Sequence, residues 1–374
     1  MLCQTELRVF PDAVVMVTLS EVARRAKVTA ATVSNVLRNR EKVRPETAER
    51  VLSAIRELGY RPNLNARALA EGRSSTLALM LSNIANPFYP EFVLAAERAA
   101  RREGYFLMVC NTDDDAEIGR AYLTQIAGTL AEGVLVLNTD IAINELCESA
   151  AVGAPIVLSL WEHPEAPPAM PCVAVDFAHA GALAAEHLLE LGHRDIGMLV
   201  GDGCGGLQDA RAMGFREVIR AAGIEPDNAA VLEIRDTIDA GYAACMQLLA
   251  NAPGLTAIFA TNDLLAIGAI QALTTLGRRV PEDVSVIGIT DIQLAHQVRP
   301  ALTTVAINTT AIADLSIELL IRLMQKGSAE ASPVMVLGPP PTLVVRESTC
   351  RNAKAGTKAG TKISKKAKTK VKTF

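Results

Sequence analysis

The sequence predicts two kinds of folded unit in one chain: an all-α helix-turn-helix unit at the amino end and an α/β body of parallel sheets covered by helices. The first prediction depends on helix-capping signals and 3.6-residue apolar spacing within residues 17–59. The second depends on residues 76–350, where short apolar runs alternate with amphipathic helical patterns. The length of 374 residues also favours several folded units over one.

The composition excludes several classes of protein. No run approaches the ~18–20 uncharged apolar residues that span a bilayer. The apolar run 13–19 lacks the cationic lead-in and the small-residue cleavage site of a signal peptide. The 7 cysteines are odd in number and never spaced CxxC, which favours reduced thiols over a disulfide framework or a zinc site. We therefore expect a cytoplasmic protein with no membrane segment and no metal site.

The net charge of −4 is unevenly distributed along the chain. Residues 1–75 carry a net charge of +5, residues 76–350 carry −18, and residues 351–374 carry +9. Basic ends around an acidic body indicate that the ends contact a polyanion. Charge alone also leaves open that the ends are solvated and have no partner.

Three helices are predicted in the amino-terminal unit. Thr18 and Glu21 have the spacing of a capping box at the start of the first helix. Thr29 is placed to cap the second helix, and the third begins at Pro45 and ends at Gly59. Two short helices on a tight turn, with a third packed against them, form a helix-turn-helix unit that can present its second helix to the DNA major groove. Three-helix units of this size also bind proteins, so shape alone leaves both roles open.

The same segment carries a specific resemblance. Its sequence reads V-T-L-S-E-V-A-R-R-A-x-V-T-A-A-T-V-S-N-V-L at 17–37, V-R-P-E-T-A-E-R-V at 43–51 and G-Y-R-P-N at 59–63. These stretches closely resemble the DNA-binding headpiece of the lactose/galactose-repressor family, with the helix-turn-helix from Leu19 to Arg38. The resemblance implies a transcriptional repressor that binds near-palindromic double-stranded operator DNA as a homodimer.

Individual DNA contacts follow from that resemblance. It implies that Ala30, Ala31 and Asn35 face bases and that Thr29, Thr32 and Ser34 bind phosphates. The two alanines can contact a thymine methyl group but cannot form side-chain hydrogen bonds, so Asn35 is the expected polar contact to a base. In residues 62–75, the expected hinge, Asn63 can cap a helix too short to be stable alone. The resemblance implies that Leu69 of this hinge wedges between base pairs from the minor groove; packing of Leu69 on the body is the alternative.

The body is predicted to contain two α/β units, because nearly 275 residues exceed the size of one such unit. The strand candidates are Thr76–Ile84, Tyr105–Asn111, Gly133–Leu137, Pro155–Leu160, Val173–Asp176, Ile196–Val200, Ala230–Ile234, Ala257–Ala260 and Val284–Ile289. The helical patterns lie at 90–103, 116–131, 179–191, 207–222, 239–250, 263–276 and 309–326. Ligands of open α/β sheets bind beyond the carboxyl ends of the strands, which is where we expect a site.

The resemblance extends over this body. Matching stretches run from N-P-F-Y at 86–89, through H-L-L-E-L-G-H-R-D-I-G at 187–197 and A-T-N-D-L-L-A-I-G at 260–268, to L-V-V-R-E-S-T at 343–349. They resemble the family's periplasmic-binding-protein-like core, which implies two lobes with a small-molecule effector between them. The chain is then expected to return to the first lobe near Asn308 and to the second near Gly338.

The family's effector contacts fall on four residues, Phe88, Trp161, Arg211 and Asn262. Two positions depart from the pattern, since Leu160 and Thr290 stand where the family often has Asp. Because those carboxylates typically bind sugar hydroxyls, their loss weakens the prediction of a simple sugar. Either Asp291 compensates as an effector contact, or the ligand is more apolar or anionic and is bound by Arg211.

These predictions divide the chain into five segments. They are an extension at 1–15, the headpiece at 16–61, the hinge at 62–75, the core at 76–350 and a Lys-rich tail at 351–374. No catalytic residue and no cofactor are expected. The alternatives are a periplasmic solute-binding protein, a nucleotide-dependent enzyme suggested by the GxGxxG spelling at 201–206, and a tail-driven protein that binds any DNA.

Overall fold

The structure is a computed structural model that describes residues 17–60, 74–126, 130–138, 141–201, 208–224, 231–326 and 334–353. Its internal contacts divide the chain into two compact units, Met1–Ser74 and Ser75–Phe374. The predicted extension, hinge residues 62–73 with Leu69, and the tail beyond residue 353 lie outside the described residues.

The first unit contains the three predicted helices. They are α1 (Leu19–Ala26), α2 (Ala30–Arg38) and α3 (Pro45–Leu58), with a single 3-10 turn at Arg40–Lys42. The capping box is confirmed, because the backbone N–H of Glu21 donates to Thr18 Oγ1 at 3.3 Å and the backbone N–H of Thr18 donates to Glu21 Oε2 at 2.7 Å. Thr29 caps α2, and Gly59 ends α3 with a left-handed φ of 64°.

A small apolar core holds the three helices together. Val22, Val33 and Val51 come from different helices and are all fully buried. Helices of 8 and 9 residues are marginal in isolation, so α1 and α2 depend on this shared core for their stability.

The second unit contains two lobes. The first lobe begins with β1 (Thr76–Leu81), α4 (Phe88–Arg102), β2 (Phe106–Asn111), α5 (Ala116–Ile126), β3 (Gly133–Leu137), α6 (Ile143–Val152), β4 (Ile156–Trp161) and β5 (Cys172–Ala174). The second lobe follows with α7 (Phe177–Glu190), β6 (Ile196–Gly201), α8 (Asp209–Ala221), β7 (Val231–Ile234), α9 (Ile238–Asn251), β8 (Ala257–Ala260), α10 (Asp263–Thr275), β9 (Ser285–Thr290), α11 (Gln293–Gln297) and β10 (Thr303–Ala306). The last elements are α12 (Thr309–Lys326), β11 (Met335–Leu337) and β12 (Thr342–Val344).

Each lobe is built on a six-stranded sheet. The strand order is β11-β5-β4-β3-β1-β2 in the first lobe and β12-β10-β9-β8-β6-β7 in the second. All neighbouring strands are parallel except β12, which is antiparallel to β10. The order confirms the predicted α/β fold with parallel sheets.

The chain passes between the lobes three times among the described strands. It leaves the first lobe after β5, returns after β10 and leaves again after β11. On its return, α12 packs against α4, β3 and β4. The second and third passages lie between Ala306 and Thr309 and between Leu337 and Thr342, where the resemblance implied them.

Helices cover both faces of the sheets, and the strand side chains are therefore buried on both faces. Along β1, Leu77 and Leu79 belong to one buried cluster, whereas Ala78 and Met80 belong to another. Successive side chains of a strand point to opposite faces, so a strand that is apolar at every position must be covered on both. Within the residues the structure describes, none of the helices is long and apolar enough to cross a bilayer.

Candidate functional site

The exposed face of α2 carries the predicted base contacts. Ala30, Ala31 and Asn35 are exposed, whereas Val33 and Val36 are buried in the headpiece core. The Asn35 amide therefore lies on an open helix face beside two side chains that cannot form hydrogen bonds. This exposure is what a polar contact to a base requires.

The predicted phosphate contacts lie at or near the start of the same helix. Thr29 Oγ1 accepts a hydrogen bond from the backbone N–H of Thr32 at 3.2 Å and lies 2.9 Å from Thr32 Oγ1. Ser34 is half-buried on the next part of the helix, and the first turn of α2 contains no acidic residue. A helix start without acidic side chains is electrostatically suited to a phosphate, because the helix dipole is positive there.

A cavity of ≈ 940 Å³, counting its open mouth, lies between the lobes at the carboxyl ends of the strands. Four of the five predicted effector residues line it, namely Phe88, Trp161, Arg211 and Asn262. The structure does not bring Asp291 to the cavity lining. Its carboxylate instead accepts a hydrogen bond from Arg346 Nη2 at 2.6 Å, so it does not compensate there for the family's missing carboxylates.

Several polar and aromatic residues of the lining were not predicted from the sequence. They are Asn86, Tyr89, Asn138, Glu162, Phe177, Gln208 and Asp236. Asn138 directly follows β3 and Glu162 directly follows β4. Their position at the carboxyl ends of parallel strands is the signal that could have identified them.

The two positions that depart from the family pattern also line the cavity. Leu160 and Thr290 both adopt positive φ angles, 60° and 119°. Asp and Asn tolerate the left-handed region better than Leu or Thr do, so this backbone is less favourable for the residues present. The cavity wall is apolar at Leu160 and carries a hydroxyl group at Thr290, and neither position supplies a carboxylate.

Asn262 belongs to a hydrogen-bonded cluster on the second lobe. Its Oδ1 accepts from the backbone N–H of Leu265 at 3.0 Å and so caps α10, while its Nδ2 donates to Asp236 Oδ1 at 2.8 Å. Gln208 Nε2 donates to the other carboxylate oxygen of Asp236. These contacts fix the orientation of the amide before any ligand binds.

Arg211 is positioned by close contact between α7 and α8. A Cβ atom at Gly181 would overlap the carbonyl oxygen of Arg211, and one at Gly214 would overlap the carbonyl oxygen of Ala178. The two backbones touch because both contact positions are glycines. Arg211 therefore starts from a backbone that is fixed by helix packing.

Gly181→Ala tests this helix contact. The added methyl group should force α7 and α8 apart and lower the free energy of unfolding by about 1–3 kcal/mol. Gly254→Ala is the matched control, because a Cβ atom there meets nothing within 4 Å. Urea denaturation of both variants makes the comparison, and equal stability of the two would contradict the proposed role of the contact.

An ion pair joins the lobes across the cavity. Arg211 Nη2 lies 2.6 Å from Glu162 Oε1, and the side chains are 9% and 6% exposed respectively. Arg211 Nη1 also donates to the carbonyl oxygen of Thr261 at 2.9 Å, and the guanidinium carbon lies 4.1 Å from the centre of the Phe177 ring. Burial raises the pKa of Glu162 to about 7, against the opposing effect of Arg211.

A second buried carboxylate supports the cavity from the second lobe. Asp263 Oδ1 accepts from Thr304 Oγ1 at 2.6 Å, and its Oδ2 accepts from the backbone N–H of Ile292 at 2.9 Å. Burial raises the pKa of Asp263 to about 6. Asp263 thus connects the start of α10 to β10 and to the segment after β9.

The raised pKa of Glu162 predicts a pH dependence of stability. Between about pH 4.5 and about pH 7 the native carboxyl binds a proton more strongly than the unfolded one, so the free energy of unfolding should fall as pH rises. The charged or titratable groups that act on it are Arg211, His163 and Asp236. We expect Glu162→Gln to remove this contribution, at most about 3 kcal/mol over the window. Parallel stability curves for the wild type and E162Q, from urea denaturation across this window, would contradict the assignment.

Comparisons with known proteins agree with both units. The family described as "Bacterial regulatory proteins, lacI family" matches residues 18–63, and the "Periplasmic binding protein-like domain" matches residues 185–349. The HTH-type transcriptional regulator DegA of Bacillus subtilis (strain 168) is 34% identical over 338 residues, which cover 89% of this chain and 98% of the relative.

Solved structures give the same result. The transcriptional regulator CelR–cellobiose complex is 33% identical, with a TM-score of 0.66 over 88% of this chain and 99% of that one. The lac repressor dimer bound to operator and the anti-inducer ONPF is 26% identical, with a TM-score of 0.79 over 90% of this chain and 99% of that one. With helix-turn-helix, two-lobed core and whole-length relatives in agreement, this chain is a transcriptional regulator that belongs to the lacI family of bacterial regulatory proteins.

Proposed function

We propose that this chain represses transcription by binding near-palindromic operator DNA as a homodimer, and that a small-molecule effector between the lobes sets its affinity for the operator. The observation that carries the proposal is the presence, in one chain, of an α2 face open to solvent and a two-lobed unit with a cavity between its lobes. The dimeric, operator-bound state of the related lac repressor supports it by analogy.

On the DNA, α2 lies in the major groove. Ala30 and Ala31 contact thymine methyl groups, and the Asn35 amide forms hydrogen bonds with a base, since an amide pairs well with adenine N6 and N7. The hydroxyl groups of Thr29, Thr32 and Ser34 bind phosphates and fix the register. We further assign to Leu69 of the hinge a wedge role in the minor groove.

In the core, the effector contacts the side chains that line the cavity. Phe88 and Trp161 form apolar walls, Asn262 offers an oriented amide, and Arg211 borders the ligand from the second lobe. Binding changes the angle between the lobes, which alters the spacing of the two hinges in the dimer. Coupling of this kind is typically about 1–3 kcal/mol.

The proposal assigns no catalytic residue and no cofactor to the chain, and it places the protein in the cytoplasm with the chromosome. The rival nucleotide-dependent enzyme rests on the GxGxxG spelling, of which residues 202–206 lie outside the described residues. Its first glycine, Gly201, ends β6 beneath Gln208 and Asp236, where a Cβ atom would overlap both side chains. The close packing of Gln208 and Asp236 is therefore sufficient to explain why a glycine is present at position 201.

The test begins with operator selection and ends with a ligand screen. Purified full-length chain should enrich a pseudo-palindromic site from a random DNA pool. A thermal-shift screen of sugars, nucleobases and small acids should then identify a compound that also changes the affinity for that site. Enrichment of no sequence would contradict the DNA-binding part, and a cavity ligand that leaves operator affinity unchanged would contradict the regulatory part.

The Lys-rich tail is expected to add attraction to DNA that is independent of sequence. Removing residues 354–374 deletes 8 lysines while keeping Asn352, whose backbone N–H donates to the carbonyl oxygen of Leu191. Each lost phosphate contact should reduce the slope of log K against log salt by about 0.9. Fluorescence anisotropy at several salt concentrations measures this slope, and an unchanged slope in the truncated protein would refute a role for the tail.

A further inference from the structure

The ion pair between Glu162 and Arg211 changes what the cavity can bind. Glu162 follows β4 in the first lobe, whereas Arg211 lies on α8 in the second, so the pair connects the two lobes at the cavity lining. With side chains 6% and 9% exposed, both groups are nearly removed from water. Two charges buried this deeply interact strongly with each other and with any charge placed beside them.

Two of the five N–H groups of Arg211 donate to protein atoms. Nη2 donates to Glu162 and Nη1 donates to the carbonyl oxygen of Thr261, while the guanidinium group lies over the Phe177 ring. Arginine usually binds carboxylates and phosphates with two parallel N–H groups. Nε is buried and has no hydrogen-bond partner, and Nη1 and Nη2 each carry a second N–H. An anionic ligand is opposed instead by the carboxylate of Glu162, which lies 2.6 Å from Nη2 and already neutralises the guanidinium group.

The charge of the lining disfavours an anion as well. Of the described residues that line the cavity, three carry carboxyl groups, namely Glu162, Asp236 and Asp263, and Arg211 carries the positive charge. Two further buried atoms of the described cavity lining lack hydrogen-bond partners, Glu162 Oε2 and Asn138 Oδ1, and both are acceptors. A buried acceptor without a partner is costly, so a ligand that supplies N–H or O–H groups to these atoms is favoured.

We propose that Glu162 determines the ligand class of this cavity: by occupying and neutralising Arg211, it makes the cavity select uncharged ligands rich in hydrogen-bond donors and reject anionic ones. The proposal rests on the proposed function only in taking the cavity to be the effector site. The sequence left open whether the effector is an uncharged, more apolar molecule or an anion bound by Arg211. The proposal excludes the anion while Glu162 is ionised.

Inorganic phosphate is the probe, because it tests whether Arg211 can bind an anion and does not require the effector to be known. The melting temperature of the full-length protein is measured in phosphate and in chloride at equal ionic strength, at about pH 8, where Glu162 is ionised. The variant is Glu162→Gln. The matched control is Glu165→Gln, three residues further along, whose side chain is 63% exposed and does not line the cavity.

In the wild type and in E165Q, the difference in melting temperature between phosphate and chloride should be the same. In E162Q this difference should rise by at least about 2 °C, because the released guanidinium group binds phosphate. The double variant E162Q/R211Q should lose the gain. A difference in E162Q no larger than in E165Q, or a gain that survives the loss of Arg211, would overturn the proposal.

If E162Q does not unfold cooperatively, Glu162→Ser replaces it in the same comparison, since serine removes the carboxylate and leaves room for water. A phosphate ester that stabilises the wild type but not R211Q would also overturn the proposal. Operator affinity is measured in the same samples. If phosphate stabilises only E162Q and no screened compound changes operator affinity, the role of Glu162 is supported and the proposed function is contradicted. If a cavity ligand changes operator affinity but E162Q gains no stability from phosphate, the proposed function is supported and the role of Glu162 is contradicted.

Discussion

Replacing Arg211 by methionine should abolish the response of operator binding to the effector while leaving operator affinity in its absence unchanged. Methionine keeps much of the aliphatic volume beside Phe177 but removes the guanidinium group that contacts Glu162 and Thr261. The core should also lose stability, because breaking one side of a buried ion pair typically costs about 3–5 kcal/mol. Protonation of Glu162 should reduce this cost below pH 7, because the pKa of its carboxyl group is already raised to about 7.

A double variant separates the two effects of this substitution. E162Q/R211M leaves no buried charge at the pair, so its free energy of unfolding should recover much of what R211M loses. Its operator affinity should remain insensitive to the effector, because the contact from α8 is still absent. Operator titrations with and without effector, together with urea denaturation, measure both quantities. A normal effector response in R211M would show that Arg211 does not contact the ligand.

Replacing Asn35 by alanine should weaken binding to the selected operator by about 1–3 kcal/mol, the value of a good amide contact to a base. The side chain is exposed on α2 and its neighbours on that face, Ala30 and Ala31, cannot replace its hydrogen bonds. The headpiece core should be unaffected, because Val33 and Val36 lie on the buried face. Affinity for scrambled DNA should change little, since phosphate contacts supply it.

Ser53→Ala is the control for this substitution. Ser53 lies on α3, where its hydroxyl donates to Glu57 Oε1 at 3.1 Å, and it is not among the predicted DNA contacts. Anisotropy titrations with operator and scrambled duplexes should show a selective loss for N35A and none for S53A. A loss of equal size on both duplexes would mean that Asn35 contacts the DNA backbone rather than a base.

Most of the fold follows from local patterns in the sequence. All nine predicted strands are present, because each is a distinct apolar run, and β3 and β8 have the predicted bounds. The strands β10, β11 and β12 were missed. They contain only three or four residues, and β11 has exposed side chains at Met335 and Leu337, so neither length nor periodicity distinguishes them from loops.

The cavity was predicted less completely, because its key contacts join distant parts of the chain. The resemblance identified Arg211, but its partner Glu162 lies 49 residues away on the other lobe, and no local pattern links them. Asp291 was expected to contact the effector because it follows Thr290, where the family often has Asp. Asp291 instead accepts a hydrogen bond from Arg346, 55 residues away, and does not line the cavity.

A competition measurement tests directly whether α2 distinguishes bases in duplex DNA. Full-length protein is bound to the duplex that it enriches from a random pool, at physiological salt, and is challenged with a scrambled duplex of the same composition. We expect the enriched duplex to bind at least about 10³-fold more tightly. Equal competition by the two duplexes would show that α2 does not distinguish bases.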